Sequence, residues 1–404
     1  MERRMLKSEL KEMVLERMDM SRLRTDDEVN ELIDVCLYEL SQSRYLGIDE
    51  REKAAKDVFC AIRRLDFLQT LIDDSSVTEI MVNGPGDIFI EREGALSRYE
   101  EVFESSEKLS DIVQQIVASC NRVVNESSPI VDARLSNGSR VNIVVPPVAL
   151  NGPIITIRRF PDSPFQMQDL IGFGSLTQEI ADFLKNLVIA GYNIFVSGGT
   201  GSGKTTFLNA LSQYIPSGER IITIEDSAEL QLKGVENLVR LETRNASNEG
   251  CKEISIRDLI KSSLRMRPDR IIVGEVRGAE AIDMLQALNT GHDGSLSTGH
   301  ANSARDMLSR LETMVLMGME LPLPAIRGQI ASGLDVIVHL GRLRDRTRRV
   351  LEICEVLDYE NGEIQMNPLF EFKETGQDEN GRIVGIFEKT KDLERDGKLR
   401  AAGL

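Results

Sequence analysis

The sequence predicts an α/β protein. Its C-terminal domain carries a largely parallel sheet with helices on both faces, preceded by a small α+β domain and an N-terminal helical segment. Three observations carry this reading. Strand and helix patterns alternate from Thr177 onward, which builds a parallel sheet. A glycine-rich loop joins one of those strands to the next helix. Between about Leu65 and Arg159 the text changes to short alternating strands broken by dense turn signals. At 404 residues the chain exceeds what one compact domain usually holds. The boundaries fall at 1–65 (helical), 66–159 (α+β), 160–176 (linker) and 177–404 (α/β).

Residues 1–65 are dense in charge and show helical periodicity. Leu32, Val35, Cys36 and Glu39 step around one turn, and Val58, Phe59, Ile62 and Leu65 form an apolar stripe. This reads as two to four amphipathic helices, either a bundle packed on the next domain or a partner-binding arm. Val77–Val82 is strand-like and ends at Asn83-Gly84-Pro85-Gly86. Asp87–Glu91 alternates, and Glu93-Gly94 turns. Ser110–Asn121 reads as a helix. Asp132–Leu135 and Arg140–Val145 read as a hairpin around Asn137-Gly138. Ile154–Arg159 is a further strand. Phe160–Leu176 holds Pro161, Pro164, Gly172 and Gly174 with little periodicity, hence the linker.

Thr177 caps the next helix, whose face is Ile180, Phe183, Leu184, Leu187 and Val188, ended by Gly191. Strands follow at Tyr192–Ser197, Arg220–Asp226, Arg270–Glu275 and Gly294–Ser297, with helices at Thr205–Tyr214, Ser255–Met266, Ala279–Thr290 and Ser303–Met317. Ser255/Asp258 and Ser303/Asp306 are capping-box variants. Asp335–Leu340 and Val350–Val356 look like a hairpin. Its tip carries Arg342, Arg344, Arg346, Arg348 and Arg349, a partner or lipid contact or a solvated end. Beyond Asn367 the mixed, charged text reads as a small cap.

The loop Gly198-Gly199-Thr200-Gly201-Ser202-Gly203-Lys204-Thr205-Thr206 fits G-x-x-x-x-G-K-[ST]. Glycines let successive N–H groups curl around phosphate oxygens. Lys204 reaches the β and γ phosphates, the Thr205 hydroxyl ligates Mg²⁺, and the helix N-terminus faces the phosphate. Glu275 closes an apolar strand at its C-terminal end, where it holds Mg²⁺ through water or orients the attacking water. Glu stands there instead of the commoner Asp. Glu225 and Asp226 end a second such strand. Two of the three histidines, His292 and His300, fall within nine residues. His300 follows a strand and suits a γ-phosphate sensor. A hydrogen-bonded structural imidazole is the other reading.

Composition narrows the classes. Lys and Arg number 49 against 65 Asp and Glu, a net charge of −16, which argues against wholesale nucleic-acid binding. Cys36, Cys60, Cys120, Cys251 and Cys354 are scattered singly, as free thiols in a reducing compartment are. No apolar run is long enough to span a bilayer, and the first ten residues are too charged for a signal peptide. The expectation is a cytoplasmic protein with at most peripheral membrane association.

The phosphate loop, Ile224–Leu230, Arg267–Gly278 and the His300 stretch, in that order, resemble the Walker A, Asp box, Walker B and His box of the type II/type IV secretion ATPase superfamily. Val77–Gly84, Asp132–Leu135, Gly138–Asn142 and Ile157–Arg159 are similar to the tight-adherence (Flp) pilus assembly ATPase subfamily. The resemblance covers about Leu65 to Leu404. It implies a RecA-like P-loop ATPase domain, ATP and Mg²⁺ as ligands, and a homohexameric motor. The motor would act on inner-membrane platform proteins of a pilus or secretion machine, with no nucleic-acid partner. It implies that Glu225 activates water, that Glu275 acts on metal or water, and that His300 senses the γ-phosphate. Arg134, Arg140, Arg158 and Arg159 would reach nucleotide held by the C-terminal domain. The competing readings are a P-loop phosphotransferase and a nucleotide-gated scaffold or regulatory ring with little hydrolysis.

Overall fold

The computed structural model describes residues 2–18, 25–92, 94–159, 164–244 and 252–404. Glu93, the start of the expected linker (160–163) and Cys251 lie outside them. The chain divides into two compact units, Met1–Asp162 and Ser163–Leu404. The helical segment and the α+β text therefore share one unit.

In the first unit, helices α1 (Glu2–Arg17), α2 (Asp26–Ser43) and α3 (Ile48–Arg63) bury Leu6, Leu10, Val14, Val29, Ile33, Cys36, Leu37, Leu40 and Val58 against one another. This is the bundle reading. The buried face of α2 is rotated from the expected one: Val35 is exposed. Thr25 caps α2 through a complete box with Glu28. Helix α4 (Phe67–Asp73) leads into a sheet of β1 (Val77–Asn83), β2 (Ile88–Arg92), β3 (Ala95–Arg98), β4 (Ile130–Arg134), β5 (Arg140–Val144) and β6 (Ile154–Arg158), with α5 (Ser106–Ser119) between β3 and β4. Strand order is β3-β2-β1-β6-β5-β4. All its described pairings are antiparallel. Val82, Ile88, Ile90, Val141, Ile143, Ile155 and Ile157 pack one face against α4 and α5. The two-residue alternation sends the remaining side chains to the opposite face. Gly138, at φ 87°, makes the β4–β5 turn that Asn-Gly text favours.

The second unit opens with α6 (Met167–Gly172), inside the stretch expected to be a linker. Met167, Leu170 and Leu176 are buried in this unit's core. After α7 (Gln178–Ile189) come β7 (Ile194–Gly198), α8 (Lys204–Ser212), β8 (Arg220–Glu225), β9 (Asn237–Glu242), α9 (Ile256–Ser263), β10 (Arg270–Val273), α10 (Glu280–Leu288), β11 (Leu296–Gly299), α11 (Ala304–Gly318) and α12 (Leu323–Gly333). The chain then runs through β12 (Val336–Arg342), β13 (Arg348–Glu360), β14 (Glu363–Gln377), β15 (Ile383–Lys389) and α13 (Gly397–Ala401). The sheet order is β15-β14-β13-β12-β7-β11-β10-β8-β9. From β12 to β9 every described pairing is parallel; from β12 to β15 every one is antiparallel. Helices α6, α7 and α8 cover one face and α9 to α12 the other. Ser255 completes its capping box with Asp258, whereas Ser303 shows only the half in which its hydroxyl accepts from Asp306 N–H.

The tail differs from the expected small cap. Strands β14 and β15 extend the main sheet, and Leu369 and Phe370 are core residues. Among the described residues no helix is long and apolar enough to cross a membrane.

Candidate functional site: the phosphate loop and the carboxyl edge of the parallel sheet

Parallel pairing sets the site. Gly299 on β11 pairs with Ser197 on β7, Val273 on β10 pairs with both Ile224 on β8 and Ser297 on β11, and Leu340 on β12 pairs with Gly198. The C-terminal ends of β7, β8, β10 and β11 therefore lie along one edge. The loop after β7, Glu225, Glu275 and His300 are delivered there together, the usual place for ligands in such sheets.

The loop is shaped by what its glycines lack. A Cβ on Gly198 would sit 2.4 Å from the Leu340 carbonyl oxygen and 2.6 Å from Ser202 Oγ. Gly201 and Gly203 are left-handed, at φ 71° and 93°, and Gly203 is the N-cap of α8. Ser202 is buried, while Gly199 and Thr200 are exposed. Thr205 and Thr206 stand half-buried in the first turn of α8.

Lys204 is buried, and its ammonium donates to the carbonyls of Gly198 and Gly199, each at 3.1 Å. It lies 3.2 Å from His300 Nδ1. His300 Nε2 is in turn 2.7 Å from Glu275 Oε1. Burial and the adjacent Lys204 charge lower the His300 pKa. A neutral imidazole accepting at Nδ1 from Lys204 carries its proton on Nε2. The 2.7 Å approach of Nε2 to Glu275 Oε1 is a close contact off hydrogen-bond geometry, since that oxygen is buried without a hydrogen-bond partner in the protein. Burial also lowers the Lys204 pKa, with Glu275 opposing. Arg277 continues the line: its Nη2 donates to Glu275 Oε2 at 2.6 Å, and its Nη1 lies 3.4 Å from Asp226 Oδ2.

Glu225 is 3% exposed. Its Oε2 accepts the N–H groups of Glu229 (2.7 Å) and Leu230 (2.8 Å), while Oε1 is buried without a hydrogen-bond partner in the protein. Burial pushes its pKa up to about 7, outweighing those two hydrogen bonds. A Cβ on Gly274 would lie 2.9 Å from Glu225 Cγ, so the glycine before Glu275 makes room for Glu225. Thr298 Oγ1 pins that turn by donating to the Gly274 carbonyl at 2.7 Å.

The fold thus brings together the 198–206 loop, Glu225, Glu275 and His300. His292 stays out of this network and contacts the Ala287 carbonyl at 3.0 Å. Arg134, Arg140, Arg158 and Arg159 belong to the first unit. Arg134, Arg140 and Arg158 occupy one rung across β4, β5 and β6, on the face away from that unit's core. Arg159 donates to the Asp74 carbonyl.

Sequence reasoning passed over three features. His339 on β12 is buried under the loop with Nδ1 2.8 Å from Ser197 Oγ; one polar residue in an apolar strand was its only signal. Arg277 lies inside the Arg267–Gly278 motif, which assigns it no role. The basic hairpin tip is legible in the sequence, but its neighbour is not: Arg348 Nε donates to the Gly201 carbonyl at 2.9 Å.

A glycine cradle, buried Ser202 and Glu225 oxygens without protein partners and a lysine at the loop mouth suit a Mg²⁺-bound nucleoside triphosphate.

The family described as Type II/IV secretion system protein matches residues 63–391. A putative conjugal transfer protein of Mycobacterium tuberculosis is 34% identical over 304 residues, covering 74% of this chain and 86% of its own. The type IV secretion system protein PtlH of Bordetella pertussis is 35% identical over 315 residues, covering 72% of this chain and 93% of its own. Among solved structures, the Legionella pneumophila ATPase DotB matches with a TM-score of 0.53 at 20% identity, covering 74% of this chain and 82% of that one. The pilus retraction motor PilT with bound ADP matches at a TM-score of 0.52 and 17% identity, covering 83% and 86%. These two likenesses show the α/β fold. The family match over most of the length shows that the chain belongs to the type II/IV secretion system protein family.

Proposed function

We propose that the protein is a Mg²⁺-dependent ATPase that drives a pilus or secretion machine, in the tight-adherence manner. The observation that carries this is one continuous line, Lys204–His300–Glu275–Arg277, joining the phosphate loop to the strand-end acid. When bound, Mg²⁺ neutralises phosphate charge. Thr205 and Glu275 would hold the ion. Lys204 exchanges its bonds to the loop carbonyls for phosphate oxygens. That exchange frees His300 Nδ1, so the state of the γ-phosphate is passed to Glu275 through one imidazole. Glu225 takes a proton from the attacking water with its unpartnered Oε1, its raised pKa matching it to neutral pH. Arginines carried by the first unit would complete the charge on the nucleotide, with Arg134, Arg140 and Arg158 presented as a row. The working form is a cytoplasmic homohexamer, peripheral at the membrane.

Steady-state phosphate release from Mg·ATP, with and without small acceptors, tests the reading. Wild type should release phosphate slowly without an acceptor, and Lys204→Ala should abolish turnover while leaving the circular-dichroism spectrum unchanged. Turnover at wild-type level in that variant contradicts the proposal. Transfer to an acceptor would favour a phosphotransferase, and nucleotide binding without turnover a scaffold.

A further inference from the structure

The basic hairpin between β12 and β13 is drawn to the phosphate loop by the sheet itself. Strand β12 runs parallel to β7 as far as Leu340 opposite Gly198, then continues two residues past it to Arg342. Arg342 is paired across the hairpin with Arg348, two residue pairs beyond Leu340–Val350 and so on the same face. Alternation puts all four side chains on the α8 face. Leu340 and Val350 belong to the core beneath, and the arginines stand at the level of the loop.

Two positive charges directly opposite one another destabilise an antiparallel pair unless an anion offsets them. Among the described residues neither Arg342 nor Arg348 has an acidic partner. Their neighbours differ. Arg344 is paired with Glu374, Arg349 donates to the carbonyls of Gly174 and Ile383, and Arg346 takes the left-handed turn position at φ 69°. Arg342 and Arg348 instead converge on the loop glycines. Arg348 Nε holds the Gly201 carbonyl at 2.9 Å, and a Cβ on Gly203 would lie 3.4 Å from Arg348 Cδ. A Cβ on Gly201 would lie 3.7 Å from Arg342 Nη1. Arg348 thus keeps its two Nη groups available while Nε fixes its stem to the loop.

We propose that Arg342 and Arg348 form a guanidinium clamp, supplied by the same unit as the loop, that binds the phosphates of the nucleotide the loop holds. The clamp rests on the nucleotide-binding reading above and adds a second anion-binding element to it. Its guanidiniums are planar and permanently charged, suited to bidentate phosphate contact. With the anion bound, the cross-strand repulsion becomes attraction to a shared partner, so the hairpin is held most firmly when nucleotide is present.

The test is calorimetric titration of the full chain with Mg·ADP and with pyrophosphate, together with melting midpoints without ligand. Arg342→Gln should weaken ADP and pyrophosphate binding about 10- to 100-fold, the range of a lost charge-assisted contact, and leave the unliganded midpoint unchanged or higher. Arg348→Gln should weaken both as strongly, and Arg342→Lys should restore part of the loss. Arg342 makes no bond to the loop backbone, so its variants test the clamp even if Arg348→Gln folds poorly. Affinity within twofold of wild type in Arg342→Gln, with Lys204→Ala still losing binding, would overturn the clamp and leave the nucleotide site standing. A lowered unliganded midpoint with affinity intact would make the arginines structural pins. A wild-type chain that binds neither probe would remove the nucleotide reading and the clamp with it.

Discussion

Glu225 shows how much one buried carboxylate can weigh. Its pKa is raised to about 7 against an ordinary 4.5, burial prevailing over the Leu230 and Glu229 N–H groups and Arg240, with the Glu229 carboxylate adding to the rise. Between those values the folded state still holds a proton that the unfolded state has released. Stability from this group is therefore present below about 4.5 and lost as pH rises to about 7, by roughly 3 kcal/mol in all. Glu225→Gln keeps an acceptor for the two N–H groups and removes the titration. Urea midpoints of nucleotide-free protein at pH 5, 6 and 7.5 should fall for wild type relative to Glu225→Gln. A constant difference between the two would show that the carboxyl is not held protonated. His300 is the complementary case: burial and the neighbouring Lys204 ammonium lower its pKa, and the proposed relay between Lys204 and Glu275 would need the neutral imidazole that this favours.

Elements rather than residues decide how large the second unit's sheet is. Phe370 on β14 is 3% exposed and sits 5.3 Å from the Phe183 ring of α7. Lys398 on α13 then ties the end of the chain down, reaching Asp293 at 2.8 Å and Asp335 at 2.7 Å. Phe370→Ala should cost about 3–5 kcal/mol, the range for a buried aromatic in a core. Denaturant unfolding measures it, and a loss below about 1 kcal/mol, as for surface positions, would reduce the tail to a peripheral cap. Helix α12 makes a similar point. Its interior holds Gly328, while Pro324 falls in the first turn, where proline is tolerated, yet Ile326, Ile330 and Ala331 are buried in the core, so packing outweighs that weak position.

At the scale of the molecule, the chain keeps its nucleotide-loop residues in one unit and its row of arginines in the other. If Arg158 of that row and its neighbour Arg159 act on nucleotide, replacing both by Lys removes the planar fork and retains charge. Turnover of the double variant should fall about 10³-fold or more, as when an arginine finger is lost, with ADP affinity preserved. Light scattering of wild type with a non-hydrolysable ATP analogue should report six copies. Unchanged turnover would confine the mechanism to the second unit, and a strict monomer with analogue bound would contradict the hexamer.

The sequence by itself determined the α/β class, the loop, the order of the strand-end acids and the place of His300. Each of these is local: a glycine spacing, an aliphatic run ending in an acid, a cap. It also located the bundle, although the face of α2 was misjudged, because Val35 and Ile33 are equally apolar and only neighbouring helices choose between them. Tertiary structure alone decided what is non-local. Strands β9, β14 and β15 are strands because a neighbour offers them a ladder. Arg134, Arg140 and Arg158 become one row because antiparallel register aligns residues up to 24 positions apart. Arg348 meets Gly201, 147 residues earlier, because β12 lies beside β7. Sequence separation carries no trace of such pairings; hydrogen-bond register creates them.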